Sequence, residues 1–122
     1  MATPTIFNKA KLSGSTDGKP ILINTTATAG TLLHTAVAGQ VANTFDEIWV
    51  WLQNNHTAAV VVTIEYGRAT APDQNIINTI PSKSGLFLAL PGLILQNGLT
   101  VKCFAATNNV ITASGYVNEI RP

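Results

Sequence analysis

The stretch DEIWVWLQNNHTAAVVVTIEYG, residues 46–67, restricts the folds open to this chain more than any other. Side chains on an extended strand alternate between two faces. Ile48, Val50 and Leu52 then share one face, and Trp49 and Trp51 share the other. In the segment that follows, Val60, Val62, Ile64 and Tyr66 oppose Val61, Thr63 and Glu65. An antiparallel sheet with one wetted face shows a cleaner apolar–polar alternation than this. One face is therefore core, and the face carrying two indoles needs cover of its own. Burying a tryptophan removes roughly 150–250 Å² from water. At about 25 cal/mol per Å² that is at most ~4–6 kcal/mol each. Three surroundings meet the need: a loop or arm of the same chain, a subunit interface, or a stacked sugar.

Glycine, proline, asparagine and threonine interrupt the remaining apolar runs at short intervals, a pattern of many short strands rather than helices. Residues 30–42, GTLLHTAVAGQVA, offer a weak helical spacing at Leu32, Leu33, Ala36 and Val37. Their threonines and glycines favour extended or irregular chain. Strands are expected in KPILINT, TLLHTAV, DEIWVWLQN, AAVVVTIEYG, NIINTIP, SGLFLALP, LTVKCFAAT and VITASGYVNEI. The third and fourth read as a hairpin across NNHT, and the last two as a hairpin across Asn108 and Asn109, where asparagine tolerates a positive φ. About eight short strands indicate an all-β, antiparallel sandwich, with a jelly roll as its expected form. A chain of 122 residues fits a single domain. Residues 1–19 are polar and turn-rich and read as an N-terminal arm, with the β-sandwich domain over 20–122.

Seven basic residues face six acidic ones, and the charged fraction is 11%, against roughly 25% in an ordinary soluble domain. Phosphate binding needs clustered Lys and Arg, so nucleic acid is not an expected partner. Low charge together with 46% hydrophobic residues suits a protein that docks or self-associates. No apolar run approaches the ~20 residues of a membrane helix, and the N-terminus lacks the shape of a signal peptide. No membrane partner is expected. The sequons at Asn24 and Asn55 read as coincidence.

A search for chemistry returns little. Cys103 lies among apolar neighbours and reads as a small buried hydrophobe. His56 falls in the NNHT turn and reads as solvated; His34, among Leu and Ala, reads as a satisfied core histidine. Two histidines and one cysteine without CxxC, HxH or HExxH spacing make no zinc site. A Cys103–His34 dyad has nothing to mark it. Glu47 and Glu65 approach each other if their strands pair, but read better as charges that guard a sheet edge. There is no phosphate loop and no GxSxG elbow. No enzyme, cofactor or metal is expected.

The segments KLSGSTDGKPILINTTATAGTLLHTA, DEIWVWLQNNHTAAVVVTIEYG, IPSKSGLFLALPGLIL and GYVNEI together resemble the capsid decoration, or cement, proteins of tailed bacteriophages. The resemblance covers about residues 11–120 and rests on overall pattern. It implies a small β-rich homotrimer on the outer surface of the capsid, made in the host cytoplasm. Its partners would be the major capsid protein, whose neighbouring subunits it clamps, and itself. Under that reading Trp49, Trp51 and Tyr66 are expected at or near subunit contacts. Lys9, Lys11, Leu12 and Lys19 belong to an arm that reaches a neighbour or the shell. A carbohydrate-binding module or fibre tip is the runner-up, and a head-completion or tail component the third reading.

Overall fold

The computed structural model describes residues 6–68 and 75–122. Among them all regular structure is extended, in nine strands: β1 (Ile6–Lys11), β2 (Ile21–Ile23), β3 (Thr31–Thr35), β4 (Phe45–Asn54), β5 (Val60–Gly67), β6 (Asn75–Ile80), β7 (Phe87–Leu95), β8 (Thr100–Ala105) and β9 (Ile111–Arg121). They form two antiparallel sheets. The five-stranded sheet runs β1-β9-β4-β7, with β2 also paired to β9; the four-stranded sheet runs β3-β8-β5-β6. The all-β sandwich expected from the strand pattern is therefore what the chain forms.

Period-two alternation decides which residues are inside. In β4, Asp46, Ile48, Val50, Leu52 and Asn54 are buried while every intervening side chain is half-buried. In β8, Val101, Cys103 and Ala105 are buried in the same rhythm. These residues meet Ile23, Leu33, Val62, Ile64, Ile80, Leu90, Ile111 and Val117 in one core between the sheets. Truncating a core leucine or isoleucine to alanine typically costs about 2–5 kcal/mol.

Neither expected hairpin forms. β4 pairs with β7 and β9, and β5 with β6 and β8, so the NNHT segment carries the chain from one sheet to the other. The loop over Asn108 and Asn109 likewise crosses between β8 and β9. The reason is burial. Two consecutive strands that each own an apolar face bury both faces by standing opposite one another across a core. Asn54 holds the first crossing: its side-chain amide donates to the carbonyls of Ala58 and Ile80, and its Oδ1 accepts from His56 N–H. At the second crossing, Asn109 has a φ of 61° and its N–H donates to the Ile23 carbonyl.

The stretch read as an arm contains β1, which pairs along its whole length with β9, from Ile6 opposite Arg121 to Lys11 opposite Tyr116. Leu12 is 1% exposed within the core. Residues 1–5 of the expected arm lie outside the described residues. The weak helical spacing at 30–42 resolves as β3 followed by irregular chain.

Candidate functional site

The outer face of the five-stranded sheet carries Trp49 and Trp51, both half-buried, as alternation requires once Ile48, Val50 and Leu52 turn inward. Register brings Tyr116 of β9 opposite Trp49. The three ring centroids form a nearly equilateral triangle. Trp49–Trp51 is 6.2 Å, Trp49–Tyr116 6.3 Å and Trp51–Tyr116 6.0 Å, with planes inclined by 19°, 19° and 32°. Offset aromatic pairs at such distances contribute about 0.5–1.5 kcal/mol each beyond area burial.

The group is closed on both flanks by the chain itself. The Lys9 ammonium stands over the Tyr116 ring at 4.4 Å from its centroid, a cation–π contact of about 0.5–1 kcal/mol at an exposed site. On the other flank the Trp49 indole lies against Gly92 of β7. Across β1-β9-β4-β7 the order is ammonium, phenol, indole, glycine. The indole N–H of Trp49 donates to Glu47 Oε1 at 2.7 Å, and the Asn118 amide donates to the same oxygen at 3.0 Å. These two bonds hold the Glu47 carboxyl below its usual range. A stacked sugar needs an open aromatic face, and Lys9 already occupies one face of Tyr116.

Beyond the rings the face continues as aliphatic surface. Leu88 is the register partner of Trp51, Pro91 of Trp49 and Ile94 of Glu47. Leu88 is 43% exposed, Ile94 54%, and Leu86, just before β7, 64%. An open recess of about 300 Å³ adjoins this strip between Phe45, Ile94, Leu95 and Leu99. The four-stranded sheet also presents apolar groups outward, with Leu32, Val61 and Ile77 exposed.

The other residues singled out from sequence are dispersed. Tyr66 lies in the four-stranded sheet, packed against the core, and its hydroxyl donates to the Ile94 carbonyl at 2.7 Å. Burial pushes its phenol above the usual value. Lys11 is exposed beside Tyr116 in register, and Lys19 is exposed in the loop before β2. Leu12, in the core, offers no surface to a partner. Tyr116 was not singled out from sequence, because its place beside the tryptophans follows only from the β4–β9 pairing. A period-two reading of ASGYVNEI was the available signal.

The polar groups inside the sandwich are engaged with one another. His34 accepts Ser13 N–H at Nδ1 (3.0 Å), so its Nε2–H donates to Asp46 Oδ2 at 2.7 Å. Arg121 Nη2 donates to Asp46 Oδ1 at 3.0 Å. His34 is thus a core histidine with both nitrogens satisfied, and the cluster joins β3, β4, β9 and the segment after β1. Glu65 and Glu47 belong to different sheets, so the approach that pairing of their strands would have allowed does not occur. Nor does Glu65 guard an edge: it is 2% exposed and accepts from the Gly30 N–H and the Thr28 hydroxyl. The NNHT histidine, His56, is half-buried, with its carbonyl accepting from the Ser82 hydroxyl. Among the described residues, no group of three or more His, Cys, Asp or Glu is arranged to hold a metal ion.

Comparison of the chain with protein-family models, curated proteins and solved structures finds no match.

Proposed function

We propose that this chain is a structural virion protein of a tailed bacteriophage, a trimeric capsid decoration protein that clamps neighbouring major capsid subunits on the outside of the head. The observation that carries the reading is the outer face of the five-stranded sheet. There Trp49, Trp51, Leu88, Pro91 and Ile94 form an apolar surface on the side away from the core. Contiguous apolar surface rimmed by polar groups marks protein contact sites. The Lys9 ammonium over the Tyr116 ring favours a protein surface over a sugar as the cover of this group. The strand order supports the finer topological reading as well. β2-β9-β4-β7 facing β3-β8-β5-β6 is the arrangement that two nested Greek keys produce in a jelly roll.

The mechanism is linkage. A clamp that binds the assembled lattice and not the separated subunits stabilises the lattice by its binding free energy. Three copies docking at a three-fold position turn weak individual contacts into avidity, provided all three reach their sites together. No bond is made or broken, in keeping with a role that is structural rather than catalytic.

The test is co-sedimentation of the purified protein with tailed-phage heads stripped of accessory proteins, followed by heating of the shells. Saturable binding and a raised rupture temperature are expected. The double variant Trp51→Glu, Leu88→Glu should bind more weakly while keeping its circular dichroism spectrum. Absence of the wild-type protein from the shell fraction overturns the reading.

A further inference from the structure

We propose that the recess beside Ile94 is a peptide-binding socket. It takes one large apolar side chain, aromatic by preference, from an extended segment of a partner protein. The carboxamides of Gln40 and Asn97 pair with the peptide groups on either side of that residue. This goes beyond the decoration reading and does not rest on it, because any protein that presents such a segment qualifies.

The recess is held open by hydrogen bonds of the fold itself. Its apolar lining is Phe45 at the start of β4, Ile94 and Leu95 at the end of β7, and Leu99 just before β8. Three backbone bonds tie the turn between β7 and β8 to the segment after β3. Ala36 N–H donates to the Leu99 carbonyl at 2.9 Å, Asn97 N–H to the Gly39 carbonyl at 3.0 Å and Gly98 N–H to the Val37 carbonyl at 2.9 Å. The Gln96 amide, also in the lining, donates to the Thr44 carbonyl at 2.9 Å. The Tyr66 hydroxyl donates to the Ile94 carbonyl at 2.7 Å. A pocket tied in place this way does not have to be ordered when a ligand arrives, which lowers the entropic cost of binding.

Size and charge select the occupant. A volume of about 300 Å³ is at the bottom of the range for ligand pockets, roughly 300–1,000 Å³. It suits a single side chain rather than a larger cofactor or an oligosaccharide. None of the lining residues is ionisable. The charges that come near are already committed. Glu47, the register partner of Ile94, accepts from the Trp49 indole and the Asn118 amide. Arg121, which donates to the Phe45 carbonyl, is held by Asp46. A phosphate, a lipid headgroup or the charged ends of a free amino acid would lose water here and gain no counter-charge. A residue inside a chain carries no such charge. Its peptide groups present one N–H and one C=O, and a carboxamide offers the matching acceptor and donors. Gln40 and Asn97 hold two such groups at exposed positions of the recess. The Phe45 ring in the lining favours an aromatic anchor, since aromatic pairs gain more than their buried area.

The experiment follows the side-chain amide resonances of Gln40 and Asn97 by NMR during titration with the blocked tripeptide acetyl-Ala-Phe-Ala-amide. Saturable shifts are expected, with a dissociation constant of roughly 1 mM. The same peptide with Glu in place of Phe, and free phenylalanine with its charged ends, should shift nothing. Ile94→Glu, at a residue 54% exposed, should lose the binding and keep its circular dichroism spectrum. Asn97 has a φ of 66°, so Asn97→Gly removes the carboxamide at a backbone conformation that glycine adopts readily. That variant and Gln40→Ala should each bind about 2- to 10-fold more weakly, the loss of one hydrogen bond. No saturable shift up to about 10 mM peptide, ten times the expected constant, overturns the proposal. So does free phenylalanine that binds as well as the peptide, or unchanged affinity in both carboxamide variants. Shell binding by a protein that ignores the peptide overturns this inference alone; peptide binding by a protein that ignores shells overturns the decoration reading alone.

Discussion

The indole of Trp49 lies directly against Gly92: a Cβ added to that glycine would stand 2.8 Å from Cζ2 and 3.0 Å from Cε2 of the ring. The contact explains why a glycine sits at the centre of the apolar strip. The residue also has a φ of 80°, a conformation that L side chains rarely adopt.

Gly92→Ala should therefore destabilise the fold by about 2–4 kcal/mol, combining overpacking of about 1–3 kcal/mol with left-handed strain of about 1 kcal/mol. Urea unfolding measures the sum. A double-mutant cycle with Trp49→Ala separates its parts, since only the overpacking vanishes when the ring is gone. Equal costs in both backgrounds would show that the ring does not press on β7.

The acid limb of stability should report on Glu47. Its carboxylate accepts from the Trp49 indole and the Asn118 amide, and these bonds hold its pKa below the usual 4.5. A carboxyl with a depressed folded pKa contributes stability that is present above its unfolded value and is lost as pH falls through its folded one. The Trp49 indole N–H resonance should accordingly shift on acidification with a midpoint below 4.5. Glu47→Gln should abolish that shift. A titration at or above the usual carboxyl value would contradict the hydrogen-bonded geometry.

Much of this architecture is legible in the sequence because it is local. Alternation in IWVWL puts the tryptophans on one face and the aliphatics on the other without reference to any other strand. Chain neighbours of His34 and Cys103 show that both are core residues. Pairing is not local. Whether β4 lies beside β5 or across the core from it depends on where β7 and β9 run, and the turn residues of NNHT suit either outcome. The same gap hid Tyr116, Gly92 and the aliphatic strip, each brought to Trp49 by strands about 40 or more residues away in sequence. It also hid the engagement of Glu65, whose partners Thr28 and Gly30 belong to a loop before β3.

Asp46 is the hinge of the second non-local group. It is 3% exposed and accepts from His34 and Arg121 together. Asp46→Ala leaves the buried Nε2–H of His34 without an acceptor and takes from Arg121 its buried carboxylate, while Arg121 Nη1 keeps the Phe45 and Ile120 carbonyls. The expected cost is about 2–4 kcal/mol by chemical unfolding, the range for breaking a buried hydrogen-bonded charge. Glu119→Ala, which removes a partly exposed carboxylate 3.6 Å from Arg121, should cost under about 1 kcal/mol. Similar losses in the two variants would mean that Asp46 is no more engaged than a surface charge.

Cys103 gives the alkaline limb. It is wholly buried in β8, and burial, aided by the neighbouring Glu65 charge, pushes its thiol from 9.0 up to about 12. The thiolate is the reactive form, so alkylation at pH 8 should proceed only through unfolded molecules. The rate should then rise with urea in step with the unfolded fraction. An acid whose folded pKa is raised makes the folded state hold its proton longer, so stability falls as pH climbs past the unfolded value. The slope per such proton approaches about 1.4 kcal/mol per pH unit. Cys103→Ala should remove the part of this decline that begins near 9. The part due to Tyr66, whose phenol starts from 10.0, should remain. Modification of the native protein at the rate of a free thiol would show that the two sheets do not close over β8.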